Sequence, residues 1–193
     1  MRLCVGTSKG IVILDADRGG APLIVSADPA SVWCLAQDCH DGRIIYAGSI
    51  QNAQAGSARG RGSLARSADG GRTWNDITPS SIRDEEVWSI AASIHRTGEV
   101  IIGTSHARLL RSEDAGRSFR ECLAFHKLPG RDRWSFPASP YVPHVRSLVF
   151  DPADPETFYA GVEEGGVFRT SDSGESFAPL NHALPSDIHC LAI

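Results

Sequence analysis

The sequence predicts an all-β protein, a β-propeller of four-stranded antiparallel blades with about four repeats present. Three observations point there. Short β-type runs recur with a period in the forties, turn residues separate them, and long amphipathic helical stretches are absent. One kind of run ends in glycine: Leu3–Gly6, Ile45–Gly48, Ile101–Gly103 and Phe158–Gly161. A second kind precedes most of these: Val32–Ala36, Val87–Ala91, Val145–Val149 and Ile188–Ala192. The second residues of this latter set, Trp33, Trp88, Arg146 and His189, are 55, 58 and 43 positions apart. A core period near 43 with two insertions explains all three intervals.

The third recurring element is a box. Arg66–Trp74, Arg111–Phe119 and Arg169–Phe177 align without gaps as Arg, Ser/Thr, x, Asp, x, Gly, x, Ser/Thr, aromatic. Asp114 and Asp172 each lie 11 residues after a strand-ending glycine. The same count from Gly6 reaches Asp17, with Gly19 behind it, so a worn fourth copy is expected at the N-terminus with Pro22 in place of the aromatic residue.

The pattern S/T-x-D-x-G-x-x-W/F resembles the Asp-box, the bacterial neuraminidase repeat of sialidases, xyloglucanases, sortilin-type receptors and a photosystem assembly factor. The resemblance covers nearly the whole chain and implies the fold more than any function, because one fold hosts many activities. It also implies that the box lies in the hairpin between the third and outermost strands of a blade. Asp69, Gly71 and Trp74, Asp114, Gly116 and Phe119, and Asp172, Gly174 and Phe177 are therefore expected to be structural. Asp accepts backbone N–H groups across the turn, Gly permits its backbone, and the aromatic ring packs the turn onto the blade.

Assigning strands from channel to rim gives a first blade at 2–26 that lacks its innermost strand. Full blades follow at 32–78, 87–123 and 145–181, with a spare innermost strand at 188–193. That spare strand would close a four-bladed ring by completing blade one and removing the exposed edge. Two copies would instead close an eight-bladed ring as a homodimer, or further blades would follow. Propellers that carry this box usually resemble rings of more than four blades, so the larger ring is the expectation.

Both insertions, Ser49–Gly62 and about Leu123–His144, fall on the face where the innermost strands begin, and elaborated loops on one end of a scaffold are where binding resides. Trp33, Trp88, Arg146 and His189 each stand second in their strands at the channel mouth on that face. Two indoles, a guanidinium and an imidazole suit stacking and hydrogen bonding to a polar small molecule, a glycan or a protein. The neighbouring Cys34, Ser89, Ser147 and Cys190 are all small, as a crowded inner slot requires. His106, Arg133, Trp134 and His144 join the candidates on this face.

The expected function is binding of a polar ligand or protein partner at this mouth. The alternatives are a glycoside hydrolase or an assembly factor. Glu86 and Glu163 are the carboxylates placed to serve a hydrolase, which needs two acids about 5 to 10 Å apart. Glu85 and Glu164 accompany them, and solvated loop acids are the plain reading of all four. The F/Y-R-I-P element of sialidases is absent and no catalytic residue transfers from that family. No cofactor is implied. Seven histidines without an H-x-H or H-E-x-x-H cluster, and five cysteines without C-x-x-C spacing, argue against a metal site.

Composition narrows the partners further. A net charge of −4, from 19 basic and 23 acidic residues, does not favour nucleic acid. No apolar run reaches the length of a membrane span. The first residues lack the apolar stretch of a signal peptide, so a cytoplasmic chain with free thiols is expected.

Overall fold

The computed structural model describes residues 1–50, 64–182 and 184–193. Fifteen strands among them form four antiparallel sheets, and in each the strands pair in chain order. The first sheet has three strands: β1 (Arg2–Thr7), β2 (Gly10–Asp15) and β3 (Ala21–Ser26). The second holds β4 (Val32–Gln37), β5 (Ile45–Ser49), β6 (Leu64–Ser67) and β7 (Asn75–Asp76). The third holds β8 (Val87–Ala92), β9 (Val100–Thr104), β10 (Leu109–Ser112) and β11 (Arg120–Glu121). The fourth holds β12 (Val145–Phe150), β13 (Phe158–Val162), β14 (Gly166–Thr170) and β15 (Ala178–Pro179). This is the blade arrangement of a β-propeller. Among the described residues, no helix is long and apolar enough to cross a membrane.

The core lies between the blades rather than within them. Ile11 and Ile13 of blade one meet Val32 and Ala47 of blade two. Leu64 of blade two meets Val87, Ile102 and Leu110 of blade three. Ile101 and Leu109 of blade three meet Val145, Phe158 and Phe168 of blade four. Second strands β5 and β9 are buried along their whole length because both of their faces are covered by neighbouring sheets.

The recurrent strand-ending glycines follow from this packing. A Cβ on Gly48 would lie 2.4 Å from Cys34 Sγ and 2.8 Å from Val87. On Gly103 it would lie 2.4 Å from Ser89 Oγ and 2.5 Å from Val145. Blades one, two and three thus each seat the first valine of the next innermost strand in the space a side chain would fill.

The small residues third in the innermost strands also link blades. Cys34 Sγ points its hydrogen to the Val87 carbonyl at 3.6 Å, and Ser89 Oγ donates to the Val145 carbonyl at 2.7 Å. Burial pushes the Cys34 thiol up to about 12, so it stays protonated at neutral pH. All five cysteines are free.

The three box turns repeat one network. In the first, Ser67 Oγ donates to Asp69 Oδ1 at 2.8 Å and accepts the Gly71 N–H at 2.8 Å, while Asp69 takes the Thr73 N–H at 2.9 Å and its hydroxyl at 2.7 Å. Ser112, Asp114, Gly116 and Ser118 reproduce these four bonds, as do Thr170, Asp172, Gly174 and Ser176. Gly71, Gly116 and Gly174 adopt φ of 87°, 82° and 92°, where a side chain is strained. Trp74, Phe119 and Phe177 pack against three different inter-blade clusters. Each turn therefore rivets its blade to the one before.

Three expectations need correction. The worn box does not form on Asp17: Asp15 accepts the Asp17 N–H and caps the short turn Ala16–Arg18, while Asp17 meets the N-terminal ammonium. Residues 188–193 form no strand, because the segment pairs with none of the described edges. Nor does this segment close blade one. Ile188 occupies the space against Gly161, and the Leu191 N–H donates to Ser147 Oγ at 2.9 Å. It thus sits beside blade four as the next innermost segment, leaving β1 with an unpaired edge. Of the insertion Ser49–Gly62, residues 51–62 lie outside the described residues.

Candidate functional site

The ladders between the first two strands of blades two, three and four all slip at the same place. The register shifts between Val32 and Cys34, between Val87 and Ser89, and between Val145 and Ser147. The residues passed over are Trp33, Trp88 and Arg146. A bulge releases its extra residue from the ladder and re-aims the side chain, and here the three converge at the mouth. The Trp33 and Trp88 rings meet edge to face, with centroids 5.0 Å apart at 64°. The Arg146 guanidinium carbon lies 5.2 Å from each ring. Each such contact is worth about 0.5–2 kcal/mol, so two indoles fix the guanidinium in place.

The long connection between blades three and four folds over this group. His144 stacks flat on Trp88, with centroids 3.8 Å apart at 3°. Phe136 leans on both, at 6.1 Å from Trp88 and 4.2 Å from His144. Trp33 remains 49 % exposed and Trp88 only 9 %. The outer indole is thus the one open to a ligand.

Charge is distributed unevenly beneath the rings. Glu163 is 3 % exposed, and its Oε2 lies 3.5 Å from both Arg146 Nε and His144 Nε2. Among the described residues, neither Glu163 Oε2 nor His144 Nε2 has a hydrogen-bond partner. Burial and the nearby Arg146 lower His144 to about 4, so the ring is neutral at physiological pH. Glu86 contacts the other ring of the stack and accepts Trp88 Nε1–H at 3.1 Å.

A cleft of 510 Å³ opens beside the stack, lined by Glu86, Trp88, Ser105, His106, Phe136 and His144 among others. That volume falls within the range of about 300–1,000 Å³ found for small-molecule sites.

The expected site residues therefore divide. Trp33, Trp88, Arg146, His144 and Glu163 form one contacting group, with Glu86 and His106 on the adjoining cleft. His189 is exposed, with Nε2 3.1 Å from Asp187 Oδ1. Its donor atom lies within 4.8 Å of those of Asp187 and Glu163.

Trp134 belongs to the core instead. It is 9 % exposed and packs on Phe125 and Phe168, with the Arg131 guanidinium over its ring at 5.0 Å. Arg133 is exposed on the short turn Arg131–Arg133 and takes no part in the ring contacts of the mouth. Glu85 is committed to Arg108 at 2.5 Å and accepts the Thr104 hydroxyl at 2.6 Å. Glu163 is not the solvated loop acid that its place in a hairpin suggests.

Sequence reasoning missed Phe136 and Asp187. Asp187 carried a signal, since it stands two residues before His189 and alternation puts i and i+2 on one side of an extended chain. Phe136 carried none.

No protein-family model matches the chain, and no curated protein matches it in sequence. Solved structures do resemble it. A GH74 enzyme of Niastella koreensis superposes with a TM-score of 0.71 at 19 % identity, over 96 % of this chain and 28 % of that one. The extracellular domain of a one-component system from B. thetaiotaomicron gives 0.62 at 15 % identity, over 94 % of this chain and 21 % of that one. YCF48 bound to D1 peptide gives 0.52 at 18 % identity, over 78 % of this chain and 39 % of that one. At these identities the likeness shows the propeller fold alone. The chain spans less than a third of the first two structures and about two-fifths of the third.

Proposed function

We propose that this chain is an Asp-box propeller unit that binds a polar ligand, a glycan in the first instance, at the mouth formed by Trp33, Trp88 and Arg146. The observation that carries this reading is the repeated bulge, which turns two indoles and a guanidinium out of equivalent ladder positions onto one spot. The exposed face of Trp33 offers an apolar platform, Arg146 a charge held in place, and Glu86, Ser105 and His106 polar groups along the adjoining cleft. Aromatic stacking beside a few placed polar groups suits a sugar ring. The three superposable turn networks support membership of the Asp-box group.

A glycoside hydrolase is the second reading. What supports it is that Glu86 contacts Trp88 and Glu163 faces His144, the two rings of one stack. Against it, Glu163 is buried behind Arg146 and His144 rather than open to a bond.

A panel of oligosaccharides titrated by calorimetry and tryptophan emission tests both. Binding that weakens at least about tenfold in Trp33→Ala, equivalent to about 1.4 kcal/mol, supports the glycan reading. Silence across the panel, or unchanged affinity in Trp33→Ala, overturns it. Release of chromophore from aryl glycosides that disappears in Glu86→Gln and Glu163→Gln establishes the hydrolase instead. Peptide binding without sugar binding would align the chain with the peptide-bound neighbour.

A further inference from the structure

Beneath the mouth, two buried acceptors face each other. His144 hydrogen-bonds the Val142 backbone, and Nε2 is the ring nitrogen left without a partner among the described residues. The Val142 carbonyl accepts a hydrogen bond from Nδ1–H, so Nε2 presents a lone pair. It faces Glu163 Oε2 at 3.5 Å, which also lacks a hydrogen bond. Both residues are 3 % exposed, so water does not satisfy them from outside. Two lone pairs opposed in a buried setting call for a positive centre between or beside them. Arg146 only partly supplies it: its Nε is 3.5 Å from the carboxylate, beyond good hydrogen-bond length, and its guanidinium is held on the indole faces.

Asp187 and His189 complete the set from the C-terminal segment. Their donor atoms and that of Glu163 lie within 4.8 Å of one another, and the Asp187–His189 pair is at 3.1 Å. Donors bonded tetrahedrally to one zinc-sized ion at about 2.0–2.2 Å stand about 3.3–3.5 Å apart. Among the three ligands the Asp187–His189 pair, at 3.1 Å, is near that spacing, and the adjoining His144 Nε2 stands 3.5 Å from Glu163 Oε2. The exposed Asp187 and His189 side chains are free to close the remaining gap. The two carboxylates outweigh Arg146 by one charge, so a cation is attracted.

We propose that Glu163, Asp187 and His189, with His144 adjoining, form a binding site for one first-row divalent transition metal ion of the zinc class. Mixed imidazole and carboxylate donors fit that class better than calcium or magnesium, which favour oxygen alone. The proposal goes beyond the glycan reading and does not depend on it. Residue spacing concealed the site, since its ligands come from three separate segments.

The test is calorimetric titration of the metal-stripped chain with Zn²⁺, Ca²⁺ and Mg²⁺, with thermal melting in parallel and no sugar present. One Zn²⁺ per chain at micromolar affinity or better, with a raised melting temperature, is expected. Asp187→Asn and His189→Ala should each weaken binding at least about tenfold, which is about 1.4 kcal/mol. Both replace exposed side chains, and unchanged circular dichroism confirms that they fold. His40→Ala, at an exposed histidine on blade two, should bind as the unaltered chain does. No Zn²⁺ binding, a preference for Ca²⁺ or Mg²⁺, or full affinity in His189→Ala would each overturn the proposal.

Discussion

The rim and the mouth of this molecule use the repeat in opposite ways. At the rim, three turns place Asp69, Asp114 and Asp172 in one hydrogen-bond network whose lengths agree within about 0.2 Å. At the mouth, three bulges use one backbone position for two different chemistries, the indoles of Trp33 and Trp88 and the guanidinium of Arg146. The same blade geometry is thus kept identical where it locks sheets together and diversified where side chains meet open space. Repetition marks what folds, and variation at a repeated position marks where the proposed binding site lies.

The sharpest way to break the comparison is to disturb the packing that both ends depend on. Gly103→Ala places a methyl group 2.4 Å from Ser89 Oγ and 2.5 Å from Val145, between blades three and four. Overpacking of this kind costs about 1–3 kcal/mol. Chemical denaturation should show that loss, and tryptophan emission from the mouth should change with it. A variant as stable as the original would mean that the blades slide freely and that the glycines have another cause.

Acid separates rim from mouth. Bonds from the Thr73 backbone and hydroxyl lower Asp69 to about 2, and those from the Ser118 hydroxyl and backbone lower Asp114 to about 2. Asp172 is lowered in the same way, chiefly by the Ser176 hydroxyl. A carboxylate held below its ordinary value stabilises the fold above about pH 4 and loses that contribution as pH falls toward 2. Stability measured by urea melts should therefore fall over that window. In Asp114→Asn the curve should start lower at neutral pH and fall less steeply. An equally steep fall in the variant would exclude the box from acid sensitivity.

The smallest expected effect sharpens the comparison from the other side. Trp33 is half exposed but makes one edge-to-face and one cation–π contact, so Trp33→Ala should cost about 1 kcal/mol of stability. That is the signature of a side chain kept for contact with something else. A loss comparable to that of a core aromatic residue, about 3–5 kcal/mol, would make Trp33 part of the packing.

Much of this was legible in the chain alone. Boxes, strand-ending glycines and the Val-x-Ser/Cys openings of the innermost strands report local turn geometry and nearest-neighbour packing, and those depend on residues close in sequence or one period apart. Equivalent positions in successive repeats also predicted that Trp33, Trp88 and Arg146 meet. What spacing failed to separate was Trp134 from His144. Both lie in one irregular connection, yet one ring turns into the core against Phe125 and Phe168 and the other onto Trp88. Without a period, sequence carries no rule for which side of such a loop is buried.

By itself, then, the sequence determined the blade plan, the rim turns and the level at which a mouth would form, because each is written once per repeat. Only the tertiary structure decided that Glu163 is buried, that its oxygen faces His144, that Asp187 and His189 approach it, and that the last segment lies beside blade four instead of closing blade one. These outcomes depend on burial and on contacts between distant segments, and the energy that selects them does not exist until the blades are packed.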